Sequence, residues 1–140
     1  MNITRVALAG LGGFVAYFIF GGVSFVLVPS LKNEFLKYPA VYRSHDGIKS
    51  VMPVGMAAML MAILVLAVLY AMSYQGGSGL AEGARFGALI GLFAFGAFVM
   101  HNYVNLQIGL ALTLQQGVAY FIEWVVTGIV IGLIYKPVAH

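Results

Sequence analysis

Glu123 is the residue of this chain best placed to do chemistry. It lies in the run YFIEWVVTG and is the single formal charge between Phe86 and Tyr135, a stretch of fifty residues. Holding a carboxylate at membrane depth costs on the order of 3 kcal/mol by insertion scales, so the side chain should face the protein interior and meet a polar partner. Two readings are open: a group that handles a proton or a cation, or a structural glutamate hydrogen-bonded near the interface. The candidate partners are Asn102, Asn105, Tyr103 and Tyr17.

The second polar signal is HNYVNLQ, residues His101 to Gln107. His101 and Asn105 are four apart and share a face if the helix persists that far. A histidine there can bind a metal or haem, relay protons, or hydrogen-bond a quinone or a lipid headgroup. Haem with two axial histidines would need a second histidine at depth, and His45 and His140 fall in a loop and at the terminus. Interfacial hydrogen bonding at a helix end is the favoured reading. No metal site and no resident cofactor is predicted, with quinone, haem or lipid beside His101 as the alternative. Met52, Met56 and Met59 fall on one helical face, where filling gaps in packing outweighs thioether ligation. HExxH, a carboxylate pair and a serine–histidine arrangement are all absent from the sequence, so an enzyme is not expected.

The elements that must position these residues follow from hydropathy. The chain has 140 residues, 62% hydrophobic and 8% charged, against about 25% charged in soluble domains. Uncharged runs extend from Val6 to Leu31, from Val51 to Ala81 and from Phe86 to the lone Glu123 and on to Tyr135. About 20 helical residues cross a bilayer core, and only helices satisfy their own backbone there. The expected fold is all-α, a four-transmembrane-helix bundle forming a single membrane domain over 1–140, with spans at 6–28, 51–74, 86–105 and 115–135. Pro29 ends the first span, and Pro53 falls in the first turn of the second, where a missing amide donor costs little. Polar and glycine residues in both HNYVNLQ and TLQQG can reverse the chain, and the turn is placed at about Leu106 to Gln115. The segment Lys32 to Ser50 carries six of the eleven charges. It reads either as an amphipathic stretch in the headgroup layer or as a solvated loop anchored by two tyrosines. Gln75 to Arg85 reads as a glycine-rich turn in which Glu82 pairs with Arg85.

This topology brings the polar groups to one end. Span three runs away from the second loop and span four returns, so His101 and Glu123 belong with the first and third loops. Arg43, His45, Asp46, Gln115 and Gln116 are there too, so if there is a pocket it lies at that end. Gly87 with Gly91 and Gly128 with Gly132 form GxxxG pairs that let helices approach closely, either within the chain or between copies.

The seven basic residues flank the apolar runs, and the net charge is +3 with a pI near 9.3. That pattern fits a lipid bilayer with anionic headgroups and no nucleic acid. Cysteine is absent, which removes disulfides and thiolate chemistry. The N-terminal apolar run is too long for a signal peptide and is read as a retained span. Basic residues divide four against three between the two sides. The dense first loop favours a cytoplasmic position for itself, with both termini outside, and dual insertion stays open.

The stretch RFGALIGLFAFGAFVMHNYVNLQ and the span EWVVTGIVIGLIY resemble a group of uncharacterised bacterial four-helix inner-membrane proteins known only as a domain of unknown function. The residues carrying the resemblance are Gly96 to Asn105, with Trp124, Thr127 and Gly128, about a third of the chain. It implies a four-helix fold, a bacterial inner-membrane location and no established activity. Together these readings give a multi-pass membrane protein without a catalytic motif. It is either a helix-packing subunit or a small ligand- or lipid-binding bundle, as a homo-oligomer or in a larger membrane complex. The alternative is a small proton- or ion-coupled transporter using Glu123, resembling the small multidrug transporters in size and charge bias.

Overall fold

The computed structural model describes residues 1–136, and their regular structure is entirely helical. In chain order the helices are α1 (Ile3–Leu27), α2 (Pro29–Leu36), α3 (His45–Ser73), α4 (Gly79–Asn105) and α5 (Leu110–Tyr135). Helices α1, α3, α4 and α5 are each long and apolar enough to cross a membrane. The protein is an all-α, multi-pass membrane bundle.

Local chemistry sets the helix ends. The Asn2 side chain accepts from the Arg5 amide at 3.1 Å and opens α1. Pro29 ends it, as expected, and then serves as the first residue of α2, where its fixed φ suits a helix start. Ser44 caps α3 by accepting from the Gly47 amide at 3.2 Å, and Asp46 sits in the first turn, where the helix dipole favours an acid. So α3 begins six residues before the expected Val51, and Pro53 lies inside the helix instead of in its first turn. The physical reason is that hydropathy marks the membrane crossing, whereas capping marks the helix start.

Two further expectations are corrected. Glu82 does not pair with Arg85: its carboxylate accepts from the amides of Gln75 (3.1 Å) and Gly77 (2.6 Å), closing the loop before α4. Gly76 in that loop has φ +88°, a conformation that favours glycine. The second correction concerns the turn between α4 and α5, which occupies only residues 106–109, so TLQQG lies inside α5. Thr113 Oγ1 donates to the Gly109 carbonyl at 3.1 Å, which satisfies the hydroxyl without breaking the helix. Within α4 the six residues Phe95–Met100 are π-helical.

Helix α5 is the centre of the bundle, with α4 on one side, α1 on the other, and α3 packed against α1. Gly79, Gly83, Gly87 and Gly91 recur every four residues on α4, and all are buried. A methyl group at Gly79, Gly83 or Gly87 would strike the backbone carbonyls of Gly132, Gly128 and Trp124 respectively. The two GxxxG pairs read from the sequence therefore lie in one seam within the chain but offset: Gly87 meets Gly128, Gly91 meets Phe121, and Gly132 meets Gly79 and Gly83, the two glycines by which the α4 repeat extends further. Contact this close lets backbone dispersion replace the hydrophobic drive that lipid removes. Beside this seam, Val6, Ala9, Ile63, Ala67, Tyr70, Ile131 and Tyr135 form the main core. The buried Tyr70 ring meets Phe86 at 5.4 Å and Tyr135 at 5.9 Å, both edge-on. The buried residues of α1 are Val6, Ala9, Gly10 and Gly13, all in its N-terminal half.

Candidate functional site

Beyond Gly13 the packing changes character. The first-loop segment folds back over the N-terminal half of α5, making a second cluster of Leu31, Ile108 and Leu112 with Phe35, Tyr38, Val41 and Tyr42. Two hydrogen bonds fasten it. The Gly109 amide donates to the Tyr38 hydroxyl at 2.8 Å, and Gln116 Nε2 donates to the Tyr42 hydroxyl at 3.3 Å. The second half of α1, α2, the start of α3 and one face of α5 then line a mostly apolar, half-open cavity of about 1010 Å3.

Glu123 lines this cavity and is 6% exposed. Its position, thirteen residues into α5, puts it about 20 Å along the helix from Leu110. The carboxylate rests against Gly21 of α1, where even a methyl group would stand 2.7 Å from Oε1. The Tyr17 hydroxyl, one turn earlier on α1, is its polar side-chain neighbour. Tyr17 is held in turn by the Trp124 ring, with centroids 5.1 Å apart. Tyr120, one turn before Glu123 on α5, adds a second phenol to the lining. Thr127, one turn further along α5, is buried with no partner for its hydroxyl among the described residues.

The first-loop end of the cavity has the opposite charge. Lys32 from α2, with Arg43 and His45 from the segment entering α3, line it there. The neighbouring acids are engaged elsewhere: Glu34 pairs with Lys37, and Asp46 with Lys49 at 3.5 Å. The hydrogen bond from Glu34 raises the exposed Lys37 ammonium above its usual range. Among the described residues Lys32 and Arg43 have no carboxylate within ion-pair distance. One end of the space is thus acidic and buried, the other basic and near the loops.

The sequence-derived candidates separate in space. Of the four proposed partners of Glu123, Tyr17 is beside it, whereas Asn102, Tyr103 and Asn105 are exposed and contribute nothing to the cavity lining, as is His101. Asn105 Nδ2 donates to the His101 carbonyl at 2.9 Å, which satisfies the end of α4. Gly87, Gly91, Gly128 and Gly132 are buried in the α4–α5 seam, on the opposite side of α5 from α1. Gly21 and Tyr120 were not singled out as site residues by the sequence reading, whereas Tyr42 is one of the two tyrosines it read as anchoring the first loop. Tyr120 and Gly21 were within reach of it, since they lie one helical turn from Glu123 and Tyr17. Among the described residues no three His, Asp or Glu side chains converge as a metal site. Comparison with protein-family models, curated proteins and solved structures found no match to this chain.

Proposed function

We propose that this protein is a small ligand-binding bundle of the bacterial inner membrane, which takes an amphiphilic molecule into the cavity between α1, α2 and α5. The observation that carries this reading is a ligand-sized, mostly apolar space ending on one buried carboxylate. Ligand sites combine apolar walls with a few placed polar groups, and volumes of about 300–1,000 Å3 are typical. Entry is assigned to the loop end, where the lining residues Lys32, Arg43 and His45 are exposed and a molecule dissolved in the leaflet could reach the space. The chain's role is binding, alone or as a subunit of a larger membrane complex, and no catalytic step is assigned.

Transport is the second reading, favoured by the pairing of Glu123 with Tyr17 inside the bundle. A coupled carrier needs an acid that exchanges its occupant within a cavity reachable from one side at a time. Both readings are tested by filling the cavity. Ala119 is part of its lining, and Ala119→Phe in the purified, lipid-reconstituted protein should remove the binding of tail-bearing probes while the protein stays folded. Unchanged probe binding by that variant would reject both.

A further inference from the structure

We infer that the occupant of this cavity is a lipophilic organic cation, held by the Glu123 carboxylate and the phenol rings of Tyr17 and Tyr120. This rests on the ligand-binding reading above and adds the chemical class of the ligand.

The argument begins with charge. Glu123 is the one carboxylate among the cavity-lining residues, and it is almost fully removed from solvent. Unless it takes up a proton, which an arriving cation can displace, a buried carboxylate demands a compensating charge or a dense set of donors. The surrounding helices supply neither: the residues against it are Gly21, which has no side chain, and Tyr17, which offers one hydroxyl. The basic residues of the site stand at the loop end, so they do not neutralise it by contact.

Three features decide which cation fits. An inorganic ion such as Na+, Ca2+ or Mg2+ requires a cage of several oxygen ligands. Here the space around the carboxylate is walled by rings and aliphatic groups, including Phe18, Tyr17 and Tyr120. Aromatic faces instead attract weakly hydrated organic cations, most strongly when water is excluded. The volume, about 1010 Å3, suits a drug-sized amphiphile and is far larger than a metal ion needs. Finally, Lys32, Arg43 and His45 at the loop end oppose small hydrated cations arriving from water. A molecule with enough apolar surface overcomes that barrier through burial of its tail.

The test uses the full-length protein in lipid nanodiscs and three probes sharing a twelve-carbon tail: dodecyltrimethylammonium, dodecanol and dodecyl phosphate. The sole tryptophan, Trp124, neighbours Glu123 in the chain, so its fluorescence reports occupancy, with equilibrium dialysis as the independent readout. Dodecyltrimethylammonium should bind at least about tenfold more tightly than dodecanol, a difference of about 1.4 kcal/mol, because its charge meets the carboxylate and the aromatic faces together. Glu123→Gln should erase that advantage and leave dodecanol binding unchanged, and Ala119→Phe should weaken both. Should Glu123→Gln fail to fold, Tyr120→Leu provides the second variant, with cation binding reduced severalfold and dodecanol unaffected. Dodecanol or dodecyl phosphate binding as tightly as the cation, with Ala119→Phe still blocking it, would overturn the cation assignment and keep the cavity. Failure of all three probes to bind would overturn both.

Discussion

Gly21 and Glu123 are complementary across the α1–α5 contact: the missing side chain on one helix is the space that the carboxylate of the other fills, with 2.7 Å between Oε1 and the position a methyl would take. The acid has room at this depth because its neighbour is a glycine. The relationship makes the site sensitive to a substitution on α1, a helix that carries no formal charge in its apolar part.

Replacing Gly21 with alanine should therefore separate binding from stability. Alanine gains up to about 1 kcal/mol of helix propensity, and the clash falls on the flexible end of Glu123, so net stability should change by less than about 1 kcal/mol. The carboxylate must move, and dodecyltrimethylammonium affinity should fall about fivefold. Gly55, with nothing within 4 Å and no part in the cavity lining, is the control: Gly55→Ala should leave binding unchanged. Thermal unfolding in detergent and probe titration check the pair.

The glycine seam should be far less tolerant. At Gly83 and Gly87 the obstacle is backbone of α5, which cannot rotate away. Gly83→Ala or Gly87→Ala should each destabilise by about 1–3 kcal/mol, the range for overpacked interiors. Gly55→Ala and Gly96→Ala meet open space and should be neutral or slightly stabilising. Equal unfolding midpoints for Gly87→Ala and Gly96→Ala would refute the close α4–α5 contact.

Because the chain has no cysteine, its topology can be read by single introduced thiols. Ser78→Cys and Lys136→Cys should be labelled by an impermeant maleimide from one side, and Gly47→Cys and Gln107→Cys from the other. His140, which the sequence places at the terminus, lies outside the described residues. A uniform orientation with Ser78 and Gly47 labelled together would contradict four crossings.

Tyr38 ties the first loop to the turn before α5 through the Gly109 amide. Tyr38→Phe should cost about 1 kcal/mol, the net worth of one hydrogen bond with a partner left unsatisfied. Hydrogen exchange at the Gly109 amide should accelerate, while amides in the glycine seam keep their protection. An unchanged Gly109 exchange rate would show that this bond does not fasten the loop.

The four crossings were legible because hydropathy is a property of each segment by itself. Their joins were less so. HNYVNLQ and TLQQG carry equally good turn residues, and what decides between them is tertiary: Gln116 has Tyr42 as a partner and Thr113 bonds back to Gly109, so TLQQG can stay helical. Glu82 likewise had two partners available, Arg85 within the helix and the loop amides, and loop closure prevailed. Glu123 stood out as an expensive group that must be buried. The end of the bundle where a pocket would lie was legible from topology, but the shape of the space was not, since it arises from α2 and the first loop folding over α5, a long-range event with no local signature.

The distribution of buried positions along α1 has a mechanical consequence. All four lie between Val6 and Gly13, whereas Tyr17, Gly21 and Phe25 look into the cavity. The helix is a cantilever, clamped at one end by α3 and α5 and held more lightly along the cavity wall by the Tyr17–Trp124 and Gly21–Glu123 contacts. Beyond it, the cluster around Leu31 fastens α2 to α5. Any displacement that would admit a molecule is therefore concentrated in the lightly held half of α1. The Glu123–Gly21 contact lies about midway along that half, so bowing of the helix there would part the acid from its glycine neighbour first.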